Sequence, residues 1–272
     1  MTAELTVYAK KIREGALRMI HRAGSGHPGG SLSCAEILAY LYFKELNIRP
    51  EEPGWMDRDR FVLSKGHACP ILYAALALRK YFPEEECLCF RSLGGKLQGH
   101  PDVNIPGIDA ASGSLGMGLS QGLGMALGSR CLKSGFRIYV LLGDGDMEEG
   151  NTWEAIMAAG HYCLDNLTAI LDSNEFQGDG SVASQMNYHP VKEKLLAFGW
   201  HFVDIDGHDF RQIAGAFNEA RQTKGRPTFI LAHTTKGKGI SFMEKNNAWH
   251  GSRGLTDDEL AQALSELGAT NK

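Results

Sequence analysis

The sequence RIYVLLGDGDMEEG, at residues 137–150, is a short apolar run that ends in a Gly-Asp-Gly triplet. A second apolar run, LTAIL at residues 167–171, is followed closely by Asn174. Each run is rich in branched residues, which is typical of a buried parallel strand, and the stretch between them has the length of a crossover helix. We therefore predict that Asp144 and Asn174 lie at the carboxyl ends of two strands, where open α/β sheets bind their ligands.

These two residues are suitable ligands for magnesium beside a diphosphate. Mg²⁺ prefers hard oxygen ligands and usually takes only one or two carboxylates, with phosphate and water in its other positions. The glycines at 143 and 145 allow a sharp turn and the close approach of a phosphate. A helix predicted at about 148–161 would offer free N–H groups at its start. Gly-Asp-Gly is also a common turn sequence, so it is the pairing with Asn174 that indicates a magnesium diphosphate site.

The other apolar runs predict a single α/β domain over residues 1–272. Strands are expected at about 61–63, 137–142, 167–171, 200–206 and 228–233. Helices are expected at the N-terminus, at about 33–46, 68–81, 148–161 and 210–223, in a small-residue segment that ends near Arg130, and in a capped segment from Thr256. This alternation favours a parallel sheet with right-handed crossovers and helices on both faces.

The composition argues against several classes of function. The chain has 272 residues and a net charge of −4, with Lys and Arg scattered along it. It therefore has no basic stripe for nucleic acid and no polybasic anchor for a membrane. No segment of the sequence approaches the length of a membrane span, and the N-terminus has the charges of a docked helix rather than a signal peptide. The six cysteines lack metal-site spacing, so we expect reduced thiols in a cytoplasmic protein.

Four histidines lie beside glycine in predicted loops, namely His27, His67, His100 and His250. Near neutral pH such residues can bind diphosphate oxygens, orient sugar hydroxyls or relay protons to a carbonyl oxygen. A single loop histidine is usually exposed or locally hydrogen-bonded. Because four histidines lie beside glycine in similar loops, we favour a pocket that they share. We interpret the remaining histidines as structural: His21, His161, His189, His201, His208 and His233.

Seven stretches of the chain match one protein family in the family's order. They are SGHPGGSLS, DRFVLSKGHACPILYAALAL, QGHPDVNIPGIDAASGSLGMGLSQGLGMALG, GDGDMEEGNTWEA, LDSNEFQGDG, FGWHFVDIDGHD and TTKGKGISFMEKNNAWHG. By these stretches, which extend over about residues 6–254, the chain resembles the thiamine-diphosphate-binding N-terminal part of transketolases.

The resemblance implies a site for thiamine diphosphate and Mg²⁺. Asp144 and Asn174 would bind Mg²⁺ together with the backbone carbonyl of Phe176. The cofactor would be contacted by His67, Gly113, Ser114, Leu115, Gly145, Asn174, Lys236 and His250, with Leu115 against the thiazolium ring. Gly30 departs from the family pattern, because some relatives have a serine there that touches the cofactor.

The resemblance also implies catalytic roles. The four loop histidines would bind the ketose donor and move protons between carbonyl and hydroxyl groups. Glu149 and Glu154 match acidic positions at the interface between subunits, where the family links two active sites. Alternatively, these two acids are solvent-exposed residues near the start of a helix, where a negative charge interacts favourably with the helix dipole.

The length of the chain differs from that of a usual transketolase. Such an enzyme continues into a pyrimidine-binding domain, which supplies the glutamate that activates the aminopyrimidine, and then into a third domain. This chain stops at Lys272 and resembles the small subunit of a split transketolase. We predict that it is inactive alone and works with a separate C-terminal subunit, in an assembly of two small and two large subunits.

The predicted reaction is transfer of a two-carbon ketol unit from a ketose to an aldose. Pentose phosphates, a branched sugar phosphate and a sulfonated sugar all stay open as substrates. One alternative is an enzyme of the deoxyxylulose-phosphate-synthase type, which uses the same cofactor. Another is a non-catalytic or regulatory subunit that binds thiamine diphosphate.

Overall fold

The predicted strands form one sheet in the computed structural model, which describes residues 2–178, 180–251 and 253–269. The strands are β1 (Arg60–Leu63), β2 (Ile138–Gly143), β3 (Leu167–Ser173), β4 (His201–Asp206) and β5 (Thr228–His233). The α-helices are α1 (Thr2–Ala23), α2 (Pro28–Leu32), α3 (Ala35–Tyr40), α4 (Cys69–Leu78), α5 (Met117–Cys131), α6 (Gly150–His161), α7 (Val182–Gln185), α8 (Val191–Ala197), α9 (Phe210–Gln222) and α10 (Asp257–Leu267). Both ends of the predicted domain, and Asp179 in the stretch LDSNEFQGDG, lie outside the described residues.

The sheet has the order β1-β2-β3-β5-β4, and every neighbouring pair is parallel. Strands β2 and β3 are buried along their whole length, as expected for central strands covered on both faces. In their register Gly143 is paired with Asp172, so the chain leaves both strands at the same edge. The predicted fold class is confirmed, and the strand positions are correct to within a few residues.

Helices cover both faces of this sheet because alternate strand side chains point to opposite sides. On one face, Val140 and Ala169 belong to a core shared with α5, α6 and α8. On the other face, Leu141 and Ile170 belong to a core shared with α1, α3, α4 and α9. No helix of the described residues is both long enough and apolar enough to cross a membrane.

The helix predicted at about 33–46 is wrong in its boundaries, because the chain forms two short helices and then a π-helical turn over Leu41–Glu45. The break falls at Ser33 and Cys34. The Ser33 hydroxyl donates to Gly30 O at 3.1 Å and to Asp172 Oδ2 at 2.6 Å. A serine that bonds elsewhere competes with regular helix geometry, and here the competing acceptor lies on β3.

The helix predicted at about 148–161 also begins later, at Gly150. A 3₁₀ turn over Asp144–Glu148 precedes it. The buried Asp146 carboxylate holds this turn by accepting hydrogen bonds from the N–H groups of Gly143 and Gly116, each at 2.8 Å. The residues that follow β2 therefore face the sheet edge in a tight turn, and α6 starts farther away.

The segment between β3 and β4 contains two short helices, α7 and α8, that the strand pattern did not specify. At the end of the chain, the predicted cap of α10 is confirmed. The Thr256 hydroxyl accepts from Glu259 N at 3.2 Å, and the Glu259 carboxylate accepts from Thr256 N at 2.9 Å. This reciprocal pair is a capping box.

Candidate functional site

A cavity of about 220 Å³ lies at the carboxyl ends of β2 and β3. Ten of the site residues predicted from the sequence line it: His27, His67, Gly113, Leu115, Asp144, Gly145, Asn174, Phe176, Lys236 and His250. A larger groove of about 380 Å³ between α1 and α4 contains none of the predicted site residues. The cavity at the sheet edge is therefore the candidate site, since the titratable groups converge there.

Asp144 and Asn174 are adjacent, as the strand pattern predicted. The Asp144 carboxylate accepts a hydrogen bond from Asn174 N at 3.1 Å and another from the Tyr188 hydroxyl at 2.7 Å. The side-chain oxygen of Asn174 accepts from Phe176 N at 3.2 Å. Burial is the largest cause that raises the pKa of Asp144, to about 7, and the nearby Asp172 carboxylate acts in the same direction.

The oxygen atoms at this edge suit Mg²⁺. A carboxylate from Asp144, an amide oxygen from Asn174 and a backbone carbonyl from Phe176 are all hard ligands, and a single carboxylate is usual when phosphate completes the coordination. Within the described ranges, no group of three or more His, Cys, Asp or Glu residues is placed to hold a metal ion. A divalent cation beside Asp144 would also favour the charged carboxylate against the effect of burial.

Small residues leave room at the cavity for a phosphate or a ring. A Cβ built on Gly145 would lie 3.0 Å from Leu115 Cδ1. Gly113 has a φ of +154° and would place a Cβ 3.2 Å from His100 Cδ2. A Cβ at Gly30 would lie 3.4 Å from His67 Nε2, so glycine at this position leaves the His67 ring open to the cavity. The three glycines line the same cavity and together form a glycine cradle, a space for a ligand that side chains at these positions would narrow.

Three of the predicted histidines form one cluster. The ring centroids of His27 and His67 are 5.1 Å apart, those of His67 and His250 are 5.6 Å apart, and those of His27 and His250 are 5.9 Å apart. Burial lowers the pKa of His27 and of His250 to about 4 and holds that of His67 well below its usual value. Among the described residues, His27 Nδ1 is buried without a hydrogen-bond partner, so the hydrogen-bonding capacity of this nitrogen is not used within the described chain.

The fourth histidine, His100, is beside the cavity without lining it. Its ring is held against Gly113, and the Tyr73 hydroxyl donates to its backbone carbonyl at 2.9 Å. Burial and then the charge of Arg91 lower the pKa of His100. The structure thus places all four histidines at one end of the sheet, three in contact and one at the rim.

Lys236 lies almost fully buried on the cavity wall. Its Nζ donates to Asn247 Oδ1 at 2.6 Å and contacts His250 Nδ1 at 2.9 Å. Burial is the main cause that lowers the pKa of Lys236 to about 8. Because an ammonium group only donates, His250 accepts at Nδ1 and carries its proton on Nε2.

A buried ion pair beneath the cavity was not predicted from the sequence. Lys65 Nζ contacts the Asp172 carboxylate and donates to Gly30 O at 2.6 Å. Asp172 also accepts from the hydroxyls of Ser33 and Thr234. Burial opposes the charge on Lys65, yet Asp172 raises its pKa well above the usual value. The signal in the sequence was a lysine two residues after β1 and an aspartate near the end of β3, in a sheet predicted to be buried.

Besides His100, three predicted site residues do not line the cavity. Ser114 is exposed in the turn before α5, and Glu149 and Glu154 are exposed at the start of α6. The Cβ of Glu149 packs close to Gly116. The two acids therefore lie on the outer surface of the single chain, and their position at an interface between subunits stays a prediction.

Tyr188 and Arg91 are further residues of this region that the sequence did not reveal. Each lies in an irregular segment, where neither helical nor strand periodicity shows which way a side chain points. Neither the sequence around Tyr188 nor the sequence around Arg91 indicates that its side chain reaches the site.

Residues 5–272 match the family described as transketolase, thiamine diphosphate binding domain. The chain belongs to this family. It is 44% identical over 265 residues to the 6-deoxy-6-sulfo-D-fructose transketolase subunit SqwG of Clostridium sp. (strain MSTE9), an alignment that covers 97% of this chain and 96% of that one. It is 38% identical over 264 residues to a subunit of the apulose-4-phosphate transketolase of Phocaeicola vulgatus, covering 97% and 93%. The resemblance to transketolases is thus confirmed.

A solved structure of transketolase from Leishmania mexicana has the same fold, with a TM-score of 0.94 and 31% sequence identity. The match covers 98% of this chain and 42% of that one. The chain therefore spans about two fifths of a full-length transketolase, whereas it is almost as long as the two similar proteins that are named as subunits.

Proposed function

We propose that this chain is the N-terminal subunit of a transketolase that depends on thiamine diphosphate and Mg²⁺ and works only with a separate C-terminal subunit. The observation that carries the proposal is the cavity at the ends of β2 and β3, where a magnesium-type set of oxygens, a glycine cradle and three histidines meet. The similar proteins named as transketolase subunits support the two-chain arrangement.

The proposed roles of the residues follow from their chemistry. Asp144, Asn174 and the carbonyl of Phe176 would hold Mg²⁺ against the diphosphate, and the glycine cradle would admit the phosphate oxygens. When bound, thiamine diphosphate supplies the carbanion chemistry that breaks and forms the carbon–carbon bond beside the carbonyl. What the protein adds is binding, orientation and control of protons.

The histidines of the site are suited to that control because they are neutral near pH 7. A neutral imidazole has one donor and one acceptor nitrogen. His250, fixed by Lys236 at Nδ1, would donate from Nε2 to an oxygen in the cavity. His27, which lines the same cavity, would accept or donate a proton at a hydroxyl or carbonyl of the ketose.

The partner would supply the rest of the active site. By the family resemblance, the pyrimidine-binding domain and its activating glutamate come from the other polypeptide, in an assembly of two small and two large chains. Glu149 and Glu154 are exposed on the single chain and would be covered where the two small subunits meet. We place this assembly in the cytoplasm.

The substrate class we propose is a ketose with an anionic end group. One similar chain is named for a sulfonated ketose and the other for a sugar phosphate. Both names describe a sugar that carries a terminal anion, and the cavity at the ends of β2 and β3 would accept the reacting end of such a sugar. We infer that the anion is recognised outside this chain.

The test is ketol transfer by the purified chain, by the C-terminal partner chain and by their mixture, with thiamine diphosphate and Mg²⁺. The donors would be a ketopentose phosphate, 6-deoxy-6-sulfo-D-fructose and pyruvate, each with an aldose phosphate as acceptor. We expect turnover of a ketose only in the mixture, and loss of turnover with Asp144→Asn. Asp57→Asn, a change of the same kind at an exposed residue, is the matched control.

Each other outcome favours a named alternative. Turnover by the highly purified single chain would overturn the two-chain requirement. Use of pyruvate instead of a ketose would favour the deoxyxylulose-phosphate-synthase type. A mixture that binds cofactor by calorimetry, yet transfers nothing from any donor, would favour a non-catalytic subunit.

A further inference from the structure

Arg91 joins the two loops that carry His27 and His100. Its guanidinium contacts the hydroxyl of Ser25, two residues before His27. A Cβ built on Gly99 would lie 2.9 Å from Arg91 Nε and 3.0 Å from Nη2. The guanidinium therefore lies directly against the backbone that precedes His100, and one planar group touches both loops.

Arg91 is held firmly in this position. Its backbone N–H donates to Leu97 O at 2.8 Å, which closes the loop that leads to His100. Its guanidinium lies 5.5 Å from the centre of the Phe90 ring. The backbone of Arg91 adopts a φ of +56°, a region that non-glycine residues rarely occupy. Within the described part of the chain, its buried Nε has no hydrogen-bond partner.

The charge of Arg91 acts on both histidines. After burial, it is the largest cause that lowers the pKa of His27, ahead of His100 and Lys236. It is also the cause named after burial for His100. The other charged or titratable groups that lower the pKa values of the clustered histidines are also basic, namely Lys65, Lys236 and the histidines themselves. Two carboxylates, Asp144 and Asp146, line the same cavity.

We propose that Arg91 is a positioning residue of this site, which fixes the two histidine loops to each other and places a fixed positive charge that disfavours protonation of His27 and His100. The inference deepens the proposed function and rests on it for its catalytic meaning. A diphosphate and an anionic sugar both favour protonated histidine. A fixed cation beside the rings opposes that effect, so the histidines can still accept a proton when the site is filled.

The experiment separates the tether from the charge. Arg91→Gln keeps an amide that can bond to Ser25 but removes the charge, and Arg91→Met removes both. Arg22→Met is the matched control, because Arg22 donates to Leu88 O at 2.8 Å on the neighbouring segment and is not among the groups that act on His27 or His100. The ring signals of His27 and His100 would be followed by NMR against pH in the full chain, with His→Gln variants for assignment.

We expect the titration midpoints of both histidines to rise by about half a pH unit or more in Arg91→Gln and in Arg91→Met, with no change in Arg22→Met. In the reconstituted enzyme, the acidic limb of the pH profile of kcat/KM should move in the same direction. Unchanged midpoints in a folded Arg91→Gln chain would overturn the charge effect, even if Arg91→Met perturbs the loops. Because the NMR titration needs no turnover, failure of the proposed function would not be mistaken for failure of this inference.

Discussion

Replacing Lys65 by methionine should destabilise the chain more than any change to a surface charge. The side chains of Lys65 and Asp172 are only 2% and 0% exposed. Lys65 is joined to Asp172 and to Gly30 O, and Asp172 is joined to Ser33 and Thr234. Methionine fills a similar volume, so the main effect is a carboxylate left buried beneath the cavity without its cation.

The expected cost follows from that burial. Removing one partner of a buried ion pair typically costs about 3–5 kcal/mol, because the remaining charge is uncompensated. Total stabilities of domains are about 5–15 kcal/mol, so Lys65→Met should move the urea midpoint substantially. Adding Asp172→Asn to Lys65→Met removes the orphaned charge and should restore part of the loss. The double-mutant cycle then gives the coupling between the two side chains.

The assay is urea unfolding followed by tryptophan fluorescence, with thiamine diphosphate binding measured in parallel. Lys80→Met is the matched control, since Lys80 pairs with Glu84 on the surface at 2.8 Å with 74% of its side chain exposed. We expect that control to be indistinguishable from the parent. The reasoning would be refuted if Lys65→Met lost less than about 1 kcal/mol, or if adding Asp172→Asn destabilised the chain further.

Three further predictions concern the cavity. Mg²⁺ binds the ionised carboxylate, and the pKa of Asp144 is raised to about 7. Mg²⁺ affinity should therefore fall about tenfold per pH unit below that value. Calorimetry from pH 6 to 8 that shows constant affinity would contradict this prediction. Tyr188→Phe, which removes the 2.7 Å bond to Asp144, should weaken Mg²⁺ binding about 10-fold or more, with an unchanged circular dichroism spectrum. Gly251→Ala would place a Cβ 2.1 Å from His27 Cδ2 and should lower ketol-transfer activity about tenfold or more; Gly54→Ala, where no atom lies within 4 Å, should leave it unchanged.

The strand ends could be predicted from the sequence because buried parallel strands are short, apolar and rich in branched residues. Once β2 and β3 are neighbours in a parallel sheet, residues that follow both strands must meet at one edge. The proximity of Asp144 and Asn174 could therefore be predicted from the strand pattern alone. The helix boundaries were less certain, because the break at Ser33 depends on an acceptor, Asp172, that is distant in the chain.

The residues that hold the site in place could not be predicted, for a related reason. Tyr188 reaches Asp144 from an irregular segment, and Arg91 reaches Ser25 across two loops. Outside helices and strands, the periodicity of the sequence does not predict which way a side chain points. The family resemblance implies which residues would touch the cofactor, but the contacts behind those residues depend on packing that only the folded chain shows.

The charges around the cavity indicate how an anionic cofactor would be held. The ammonium group of Lys65 is already paired with Asp172, and that of Lys236 is directed at Asn247 and His250. The clustered histidines are neutral near pH 7, since burial lowers their pKa values. Of the two lysines that line the cavity, only Lys65 is paired with a carboxylate, while the described partners of Lys236 are neutral. We therefore expect a diphosphate to be attracted by Lys236, by Mg²⁺ at Asp144 and by backbone N–H groups. Under the proposed function, the metal would then contribute to cofactor binding, and the neutral histidines would serve as hydrogen-bond partners for the cofactor and the sugar.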